Sequence, residues 1–342
     1  MLVELLRSHR DVARSPEQRR AVQAILSCRT PPRGGHLYRC APCAKMEFAY
    51  HSCHHRACPQ CGALQAADWL EERKLRLLPV PYFLLTFTIP EELRALFKAQ
   101  PKFSYDLFFA ITSQALRDVA LSKLKGEPGF LGVLHTWSRQ LVFHPHIHYI
   151  VPGGFLSENR LRWIRLKDPQ FLLPEKVLSR RTRSLFRAAL TSELIAQVPA
   201  AVWKKEWIVH TQPVGSGDKA LAYLAHYVQR TALSSQRILK EEHGRTTFKY
   251  RQSDTGAWKL LTLDTPEFLR RFLQHVLPTG FHRVRYYGWW SPAAKTKWER
   301  ILALLDWSAG ARPPQRAPWV KACPCCGKPM DRIGQLPRGP PT

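Results

Sequence analysis

Histidines alternate with other residues in one short segment, HPHIHYIVPGG, which contains His144, His146 and His148. Alternate side chains of a β-strand project from the same face, so His146 and His148 should lie about 6–7 Å apart on one side of a strand. Two neutral imidazoles in this arrangement can hold one divalent metal ion. Pro145 cannot donate a ladder hydrogen bond and is predicted to mark the strand start, which makes His144 a weaker candidate. The alternative is that these histidines are partly buried polar residues with ordinary hydrogen-bond partners.

A third candidate ligand, His135, lies in the strand predicted at residues 131–137. If this strand and the histidine strand form a hairpin, His135 can fold back toward His146 and His148. The sequence does not define the register of that hairpin, so an ordinary structural role for His135 stays open. The divalent ion predicted for the site is Mg²⁺ or Mn²⁺.

Two tyrosines, Tyr223 and Tyr227, lie four residues apart in a strongly helical segment. At this spacing both phenols emerge on one face of a helix, one turn from each other. A phenol has a pKa near ~10 and is a weak nucleophile at neutral pH, but it can attack a phosphate that a metal ion polarises. Tyrosines at this spacing more often serve packing alone. The catalytic interpretation therefore depends on their combination with the histidine strand and with the charge of the chain.

The chain has nine cysteines, and all but Cys28 lie within residues 40–61 and 323–326. Two Cys-x2-Cys pairs separated by fourteen residues have the spacing of a four-cysteine zinc ribbon or finger. The predicted ligands of this structural Zn²⁺ are Cys40, Cys43, Cys58 and Cys61. A second zinc site could use Cys53, Cys323 and Cys326, and nearby histidines leave other ligand choices open. The module could recognise DNA ends or could only stabilise the N-terminal region.

The charge of the chain points to a polyanionic partner. Its 342 residues include 52 Lys and Arg against 26 Asp and Glu, which gives a formal net charge of +26. Nucleic acid is the default partner of so basic a protein, because each neutralised phosphate releases condensed counterions. An anionic membrane is the alternative, but the sequence contains neither a basic amphipathic membrane helix nor an apolar run of about 18 residues.

Basic and aromatic residues are interleaved in residues 281–290, FHRVRYYGWW. Such a surface can stack unpaired bases while cations hold the phosphate backbone. Arg283 and Arg285 are the candidate DNA-binding residues of this segment, although some of its aromatic side chains are expected to lie in the core.

Strand and helix patterns alternate along the chain, with a hairpin-like pair inside. Ser15, Pro16 and Gln18 have the pattern of a capping box that begins a helix. The patterns predict an α+β fold with a central, mostly antiparallel sheet flanked by helices. Strands are predicted at residues 82–89, 131–137, 147–151, 207–212, 247–252 and 258–263, and helices at 15–27, 63–78, 91–123, 219–230 and 266–276.

Composition divides the chain into four segments. We predict an N-terminal helical segment at residues 1–35 and a zinc-binding module with a linking helix at 36–78. A catalytic domain at 79–311 follows, and then a proline-rich tail at 312–342 that carries a CxxC half-site.

The N-terminal residues carry charges throughout and have no continuous apolar run, which predicts neither a signal peptide nor a membrane anchor. In a chain without an export signal, closely paired cysteines favour metal binding over disulfides. We therefore expect a cytoplasmic protein associated with the nucleoid.

Several ordered blocks together resemble the rolling-circle insertion-sequence transposases of the two-tyrosine HUH (His-hydrophobe-His) type, which carry an N-terminal zinc-binding domain. The blocks span roughly residues 20–330 and are CRTPPRGGHLYRC, HSCHHRACPQC, FLLTFTIP, LHTWSRQLVFHPHIHYIVPGG, YLAHYVQR and EFLRRFLQHVLPTGFHRVRYYG. The resemblance implies an HUH-type catalytic domain in a bacterial protein. It implies that His146 and His148 are the metal pair and that Tyr223 and Tyr227 are the nucleophiles. The implied reaction cuts single-stranded DNA at element ends through a 5′-phosphotyrosine and joins it to target DNA without ATP.

Other functions are compatible with the same residues. A rolling-circle replication initiator or a conjugative relaxase would use the same chemistry at a different DNA site. A non-catalytic zinc protein that binds DNA or RNA would bury the tyrosines and leave single-stranded DNA intact. An inactivated relic of a mobile element would keep the motifs without the activity.

Overall fold

The structure, a computed structural model, describes residues 1–228, 232–252, 254–308, 310 and 320–339. Within them the chain forms ten α-helices and fourteen β-strands. The helices are α1 Leu2–Ser8, α2 Pro16–Ser27, α3 Ala63–Lys74, α4 Arg94–Ala99, α5 Pro101–Leu124, α6 Glu175–Ala188, α7 Ser192–Ala196, α8 Asp218–Val228, α9 Thr265–Leu273 and α10 Lys295–Leu305. The strands are β1 Gly35–Arg39, β2 Met46–Tyr50, β3 Tyr82–Thr88, β4 Gly126–Glu127, β5 Phe130–Trp137, β6 Phe143–Pro152, β7 Gly154–Ser157, β8 Trp163–Arg165, β9 Val209–Pro213, β10 Ile238–Glu242, β11 Arg245–Arg251, β12 Trp258–Asp264, β13 Val284–Tyr287 and β14 Asp331–Leu336. No helix among the described residues has the length and apolar character needed to cross a bilayer.

The chain divides into two compact units. Unit 1 comprises Met1–Gln65, Gln229–Val276 and Pro313–Thr342, and unit 2 comprises Ala66–Val228 and Leu277–Arg312. The segment around β10, β11 and β12, which is part of the catalytic domain predicted at 79–311, lies in unit 1 together with the tail. The tail joins unit 1 because β14 pairs with β1, a contact between distant parts of the chain that local composition cannot reveal.

Unit 2 is built on a five-stranded sheet with the strand order β13-β5-β6-β3-β9. Every neighbouring pair in this sheet is antiparallel, and the predicted α+β fold with an antiparallel sheet flanked by helices is confirmed. A smaller three-stranded sheet, β4-β7-β8, accompanies it.

Apolar residues cover both faces of the five-stranded sheet. On one face Phe83 and Tyr149 pack in a large core with Phe109 of α5 and Phe186 of α6. On the other face a second buried cluster includes the following side chains: Leu131, Val133, Ile150, Leu221, Leu224, Trp289 and Trp290. Leu221 and Leu224 belong to α8, so α8 packs on the face of the sheet that carries the even-numbered side chains of β6. This placement brings α8 to the same face as His146 and His148.

Unit 1 contains two three-stranded sheets, with the orders β14-β1-β2 and β10-β11-β12. Phe248 of β11 packs against Phe268 of α9, with ring centroids 5.5 Å apart. The capping box at the start of α2 is confirmed: the Ser15 hydroxyl accepts the Gln18 backbone N–H at 3.2 Å, and the Gln18 side chain accepts the Ser15 N–H at 3.3 Å.

Two predicted boundaries are wrong. The helix predicted at 91–123 is interrupted at Gln100, because Pro101 lacks a backbone N–H and instead occupies the first turn of α5. The histidine strand begins at Phe143, two residues before Pro145. Proline is tolerated inside β6 because the β5–β6 pairing shifts register between His135 and Trp137, so no ladder hydrogen bond is required of it.

Gly288 offers a test of how tightly unit 2 is packed. Its φ is +57°, and a Cβ there would lie 1.8 Å from the Pro128 carbonyl oxygen. We expect Gly288→Ala to lower the free energy of unfolding by about 3–5 kcal/mol, from left-handed strain plus the clash. Gly215 is the matched control, because its φ is +66° and nothing lies within 4 Å of its Cβ position. Gly215→Ala should lower the free energy of unfolding, measured with urea, by about 1–2 kcal/mol, which is the strain contribution alone. Equal losses for the two variants would contradict the close approach to Pro128.

Candidate active site

The three predicted histidine ligands come together at one end of the β5–β6 hairpin. His135 lies directly opposite His146 in the register of the two strands, and His148 lies opposite Thr86 of β3. One ring nitrogen from each of His135, His146 and His148 falls within a cluster no more than 4.8 Å across. The centroids of the His135 and His148 rings are 4.5 Å apart, and those of His146 and His148 are 4.8 Å apart. The tertiary structure therefore supplies the register that the sequence left open.

Hydrogen bonds orient two of these rings. The Nδ1–H of His146 donates to the backbone carbonyl of His144 at 2.7 Å, which leaves its Nε2 lone pair available to a metal. Nδ1 of His148 lies 2.7 Å from Oγ1 of Thr86. Nδ1 donates to this hydroxyl when Nε2 serves as the ligand. The sequence predicts Thr86 only as part of a strand, and the pairing of β3 with β6 is what brings its hydroxyl to His148.

Burial keeps the histidine cluster neutral. Desolvation lowers the pKa of His146 to about 4. It also lowers the pKa values of His135 and His148 well below the ordinary value, and repulsion from the neighbouring imidazoles lowers them further. At neutral pH all three rings are therefore unprotonated, which is the form that coordinates a metal ion. The structure thus fits the chemistry of a divalent-metal site.

Tyr223 of α8 lies beside this cluster. Its ring centroid is 5.9 Å from that of His148, and the two planes meet at 84°. The side chain is 40% exposed, whereas Leu221 and Leu224 on the same helix are fully buried against the sheet. The phenol is thus accessible and adjacent to the histidines at the same time. The predicted partner nucleophile, Tyr227, is on the same helix, but its side chain lies outside the described part of the structure.

Arg283 is buried and Arg285 is half-buried, and both guanidinium groups lie over aromatic rings. Arg283 is only 7% exposed, and its guanidinium lies over the ring of Trp137, 5.7 Å from the centroid. Arg285 forms an ion pair with Asp106 and lies over Phe109 at 4.4 Å. The aromatic residues of the segment are mostly core: Phe281, Trp289 and Trp290 are buried. The core position expected for some aromatic residues of this segment applies to these three, and a DNA-binding role of Arg283 and Arg285 stays a prediction.

An exposed aromatic residue flanked by cations occurs in unit 1. Trp258 of β12 is 56% exposed, and its neighbour on the same face, Leu260, is 63% exposed. The Arg237 guanidinium and the Lys249 ammonium lie 5.6 and 5.4 Å from the Trp258 ring centroid. Sequence reasoning identified only the strand, since the cations come from two other segments of the chain.

The cysteines group differently from the prediction, which paired Cys40 and Cys43 with Cys58 and Cys61. The structure forms two separate four-cysteine clusters, each with sulfur atoms no more than 4.8 Å apart. One consists of Cys28, Cys53, Cys58 and Cys61, and the other of Cys40, Cys43, Cys323 and Cys326. The predicted second site, which joined Cys53 to Cys323 and Cys326, is likewise divided between the two. The spacing does not determine the grouping, because any CxxC pair can share a metal ion with any other pair. The fold decides which pairs come together.

Cys28, which the sequence left without a role, completes the first cluster. It follows the end of α2, and its sulfur is 3.3 Å from that of Cys61. A hydrogen bond from Cys58 lowers the pKa of the Cys53 thiol to about 5, and the backbone N–H of His55 lowers it further. A stabilised thiolate of this kind is the form that binds zinc.

Comparison with known proteins identifies the chain. A family described as "Putative transposase" matches residues 129–297, and one described as "Transposase zinc-binding domain" matches residues 4–89. The chain is 39% identical over 297 residues to "Putative transposase y4qJ" of Sinorhizobium fredii, covering 80% of this chain and 74% of that protein. It is 29% identical over 290 residues to "Transposase for insertion sequence element IS801" of Pseudomonas savastanoi pv. phaseolicola, covering 78% of this chain and 68% of that protein. No solved structure matches the chain.

These matches define the class of protein as a transposase, an enzyme that binds DNA, cleaves it and transfers strands. More narrowly, the chain belongs to the IS91/IS801 family of rolling-circle HUH transposases, which confirms the resemblance drawn from the sequence blocks. The zinc-binding domain and its cysteines also support the predicted structural Zn²⁺.

Proposed function

We propose that this transposase cleaves and rejoins single-stranded DNA at element ends through a 5′-phosphotyrosine on Tyr223, aided by a divalent metal ion. The observation that carries the proposal is the approach of the accessible Tyr223 ring to His148, at 5.9 Å. A nucleophile and a metal site can act on one phosphate only when they face the same small space. A non-catalytic DNA-binding protein has no need of an exposed phenol beside a cluster of three imidazoles, two of them buried.

In the proposed reaction, the Tyr223 oxygen attacks the phosphorus of a DNA phosphodiester. A bond forms between the tyrosine oxygen and phosphorus, and the bond from phosphorus to the 3′-oxygen breaks. The phenol loses its proton, and the departing oxygen gains one to become a 3′-hydroxyl. Attack of a hydroxyl on the phosphotyrosine reverses the exchange, so the bond energy is conserved and ATP is not needed.

The metal site would consist of His135, His146 and His148. A bound divalent ion would withdraw charge from the phosphate oxygens and stabilise the departing 3′-oxygen. Among the described residues, this cluster contains no carboxylate. An all-imidazole ligand set favours a transition-metal ion over Mg²⁺, so Mn²⁺ is the better of the two predicted ions.

The remaining assignments extend this proposal. Tyr227, one turn further along α8, would receive the second strand and allow transfer to target DNA. Unit 1 would contact the DNA ends, with Trp258 and its flanking cations offering one surface on which an unpaired base can stack. We place the reaction in the cytoplasm, on nucleoid DNA.

The proposal is tested by incubating the purified chain with labelled single-stranded oligonucleotides that span the ends of its element, with Mn²⁺ or Mg²⁺. Wild type should form a covalent protein–DNA adduct, and the Tyr223→Phe, Tyr227→Phe double variant should form none. Tyr250→Phe, on β11 of unit 1, is the control and should retain the adduct. An adduct that persists in the double variant rejects the nucleophile assignment. A replication initiator or relaxase would form the same adduct, but would act at an origin and would not join the ends to target DNA.

A further inference from the structure

The second cysteine cluster joins the two ends of the chain. The Cys43 and Cys323 sulfurs are 3.5 Å apart although the residues are 280 positions apart in sequence. The sulfurs of Cys40 and Cys326 are also 3.5 Å apart, and those of Cys43 and Cys326 are 3.9 Å apart. All four are free thiols. Four unoxidised sulfurs at this separation are arranged for a tetrahedral ion rather than for disulfides, whose S–S bond is about 2.05 Å.

The two cysteine pairs sit in turns of the same form. Residues 40–45 read CAPCAK and residues 323–328 read CPCCGK. In each turn the N–H of the first cysteine donates to the carbonyl of the lysine five positions later, at 2.9 Å for Cys40 and 2.8 Å for Cys323. The residue after the second cysteine is left-handed in both, with φ of 54° at Ala44 and 70° at Gly327. Each turn therefore presents two thiols to the same point, and β1 and β14 bring the two turns together.

Very little apolar surface holds this arrangement in place. In the described part of the chain, its buried cluster consists of Cys40, Cys323 and Met330, with Tyr38 packed against it. A cluster of this size buries too little area to order two turns and a strand pair against their conformational entropy. Small modules of this kind usually obtain their stability from a bound metal.

We propose that Cys40, Cys43, Cys323 and Cys326 hold a second structural zinc ion that fastens the C-terminal segment to the N-terminal zinc-binding module. The zinc-binding family match ends at residue 89 and so cannot include half of these ligands. The first zinc site, at Cys28, Cys53, Cys58 and Cys61, lies wholly within that match. The N-terminal zinc module is therefore complete only when the last part of the chain has been synthesised.

Cys325 provides a matched control for the test. It lies between the two C-terminal ligands, it is exposed, and it is absent from the cluster. In metal analysis of the purified full chain, Cys323→Ser combined with Cys326→Ser should contain one zinc ion fewer per chain than wild type. Cys325→Ser should contain the same number as wild type. Because each variant is compared with wild type, any zinc bound at the histidine cluster contributes equally to both and cancels from the difference.

A second measurement uses wild type and does not depend on the folding of a variant. Alkylation of the zinc-loaded chain, followed by peptide mass spectrometry, should modify Cys325 rapidly while Cys323 and Cys326 stay protected. Addition of a zinc chelator should then make both Cys323 and Cys326 reactive toward the alkylating reagent. The proposal is overturned if Cys326 reacts as fast as Cys325 before chelation, or if the double variant keeps its full zinc content.

Discussion

Replacing His146 or His148 by alanine is expected to slow formation of the covalent protein–DNA adduct by about 10³-fold. The expectation follows from the loss of metal stabilisation at the attacked phosphate, worth several kcal/mol, where each 1.36 kcal/mol is a factor of ten. Both side chains belong to the cluster of three ring nitrogens within 4.8 Å. The measurement is the single-turnover rate at saturating oligonucleotide and Mn²⁺, so that weaker DNA binding does not contribute.

His144 is the matched control for this prediction. It lies on the same strand, and Nδ1 of its ring is 3.4 Å from the Arg94 guanidinium, outside the three-histidine cluster. His144→Ala retains the backbone carbonyl that orients His146 and should change the rate by no more than a few-fold. Circular dichroism should show all three variants folded, since alanine leaves no charge in the core. If His144→Ala slowed adduct formation as much as His148→Ala, the metal assignment would be incorrect.

The second large effect is expected at the first zinc site. The segment at residues 51–62 contains no helix or strand, and its turns are closed by backbone bonds such as Cys58 N–H to the His55 carbonyl at 2.9 Å. Binding of structural zinc to small modules supplies roughly 10–16 kcal/mol, which is folding free energy in the absence of other constraints. Cys58→Ser should therefore remove this zinc and unfold the segment.

Trypsin cleavage after Arg56 measures this unfolding. Cleavage in Cys58→Ser should be at least about 100-fold faster than in wild type, because protection against a protease follows the free energy of local opening. Cys325→Ser, which removes an exposed thiol outside both clusters, should be cleaved at the wild-type rate. If Cys58→Ser kept its full zinc content and its resistance to trypsin, groups other than this zinc site would be stabilising the segment.

The sequence by itself determined the features that depend on neighbouring residues. The Ser15 capping box, the strand at Tyr82–Thr88 and the alternation of His146 and His148 each follow from local geometry, and the structure contains all three. The α+β class followed from the order of such patterns. The transposase family followed in the same way, from several short blocks found together in one order.

Only the tertiary structure decided which distant residues meet. The β5–β6 register placed His135 opposite His146, and the packing of α8 on that face placed Tyr223 beside His148. Pairing of β14 with β1 joined the C-terminal cysteines to Cys40 and Cys43. Packing of Phe281, Trp289 and Trp290 placed part of the segment at residues 281–290 in the core. Spacing along a chain constrains residues within a few positions of each other, whereas contacts across hundreds of positions depend on how sheets and helices pack, and many pairings satisfy the same local pattern.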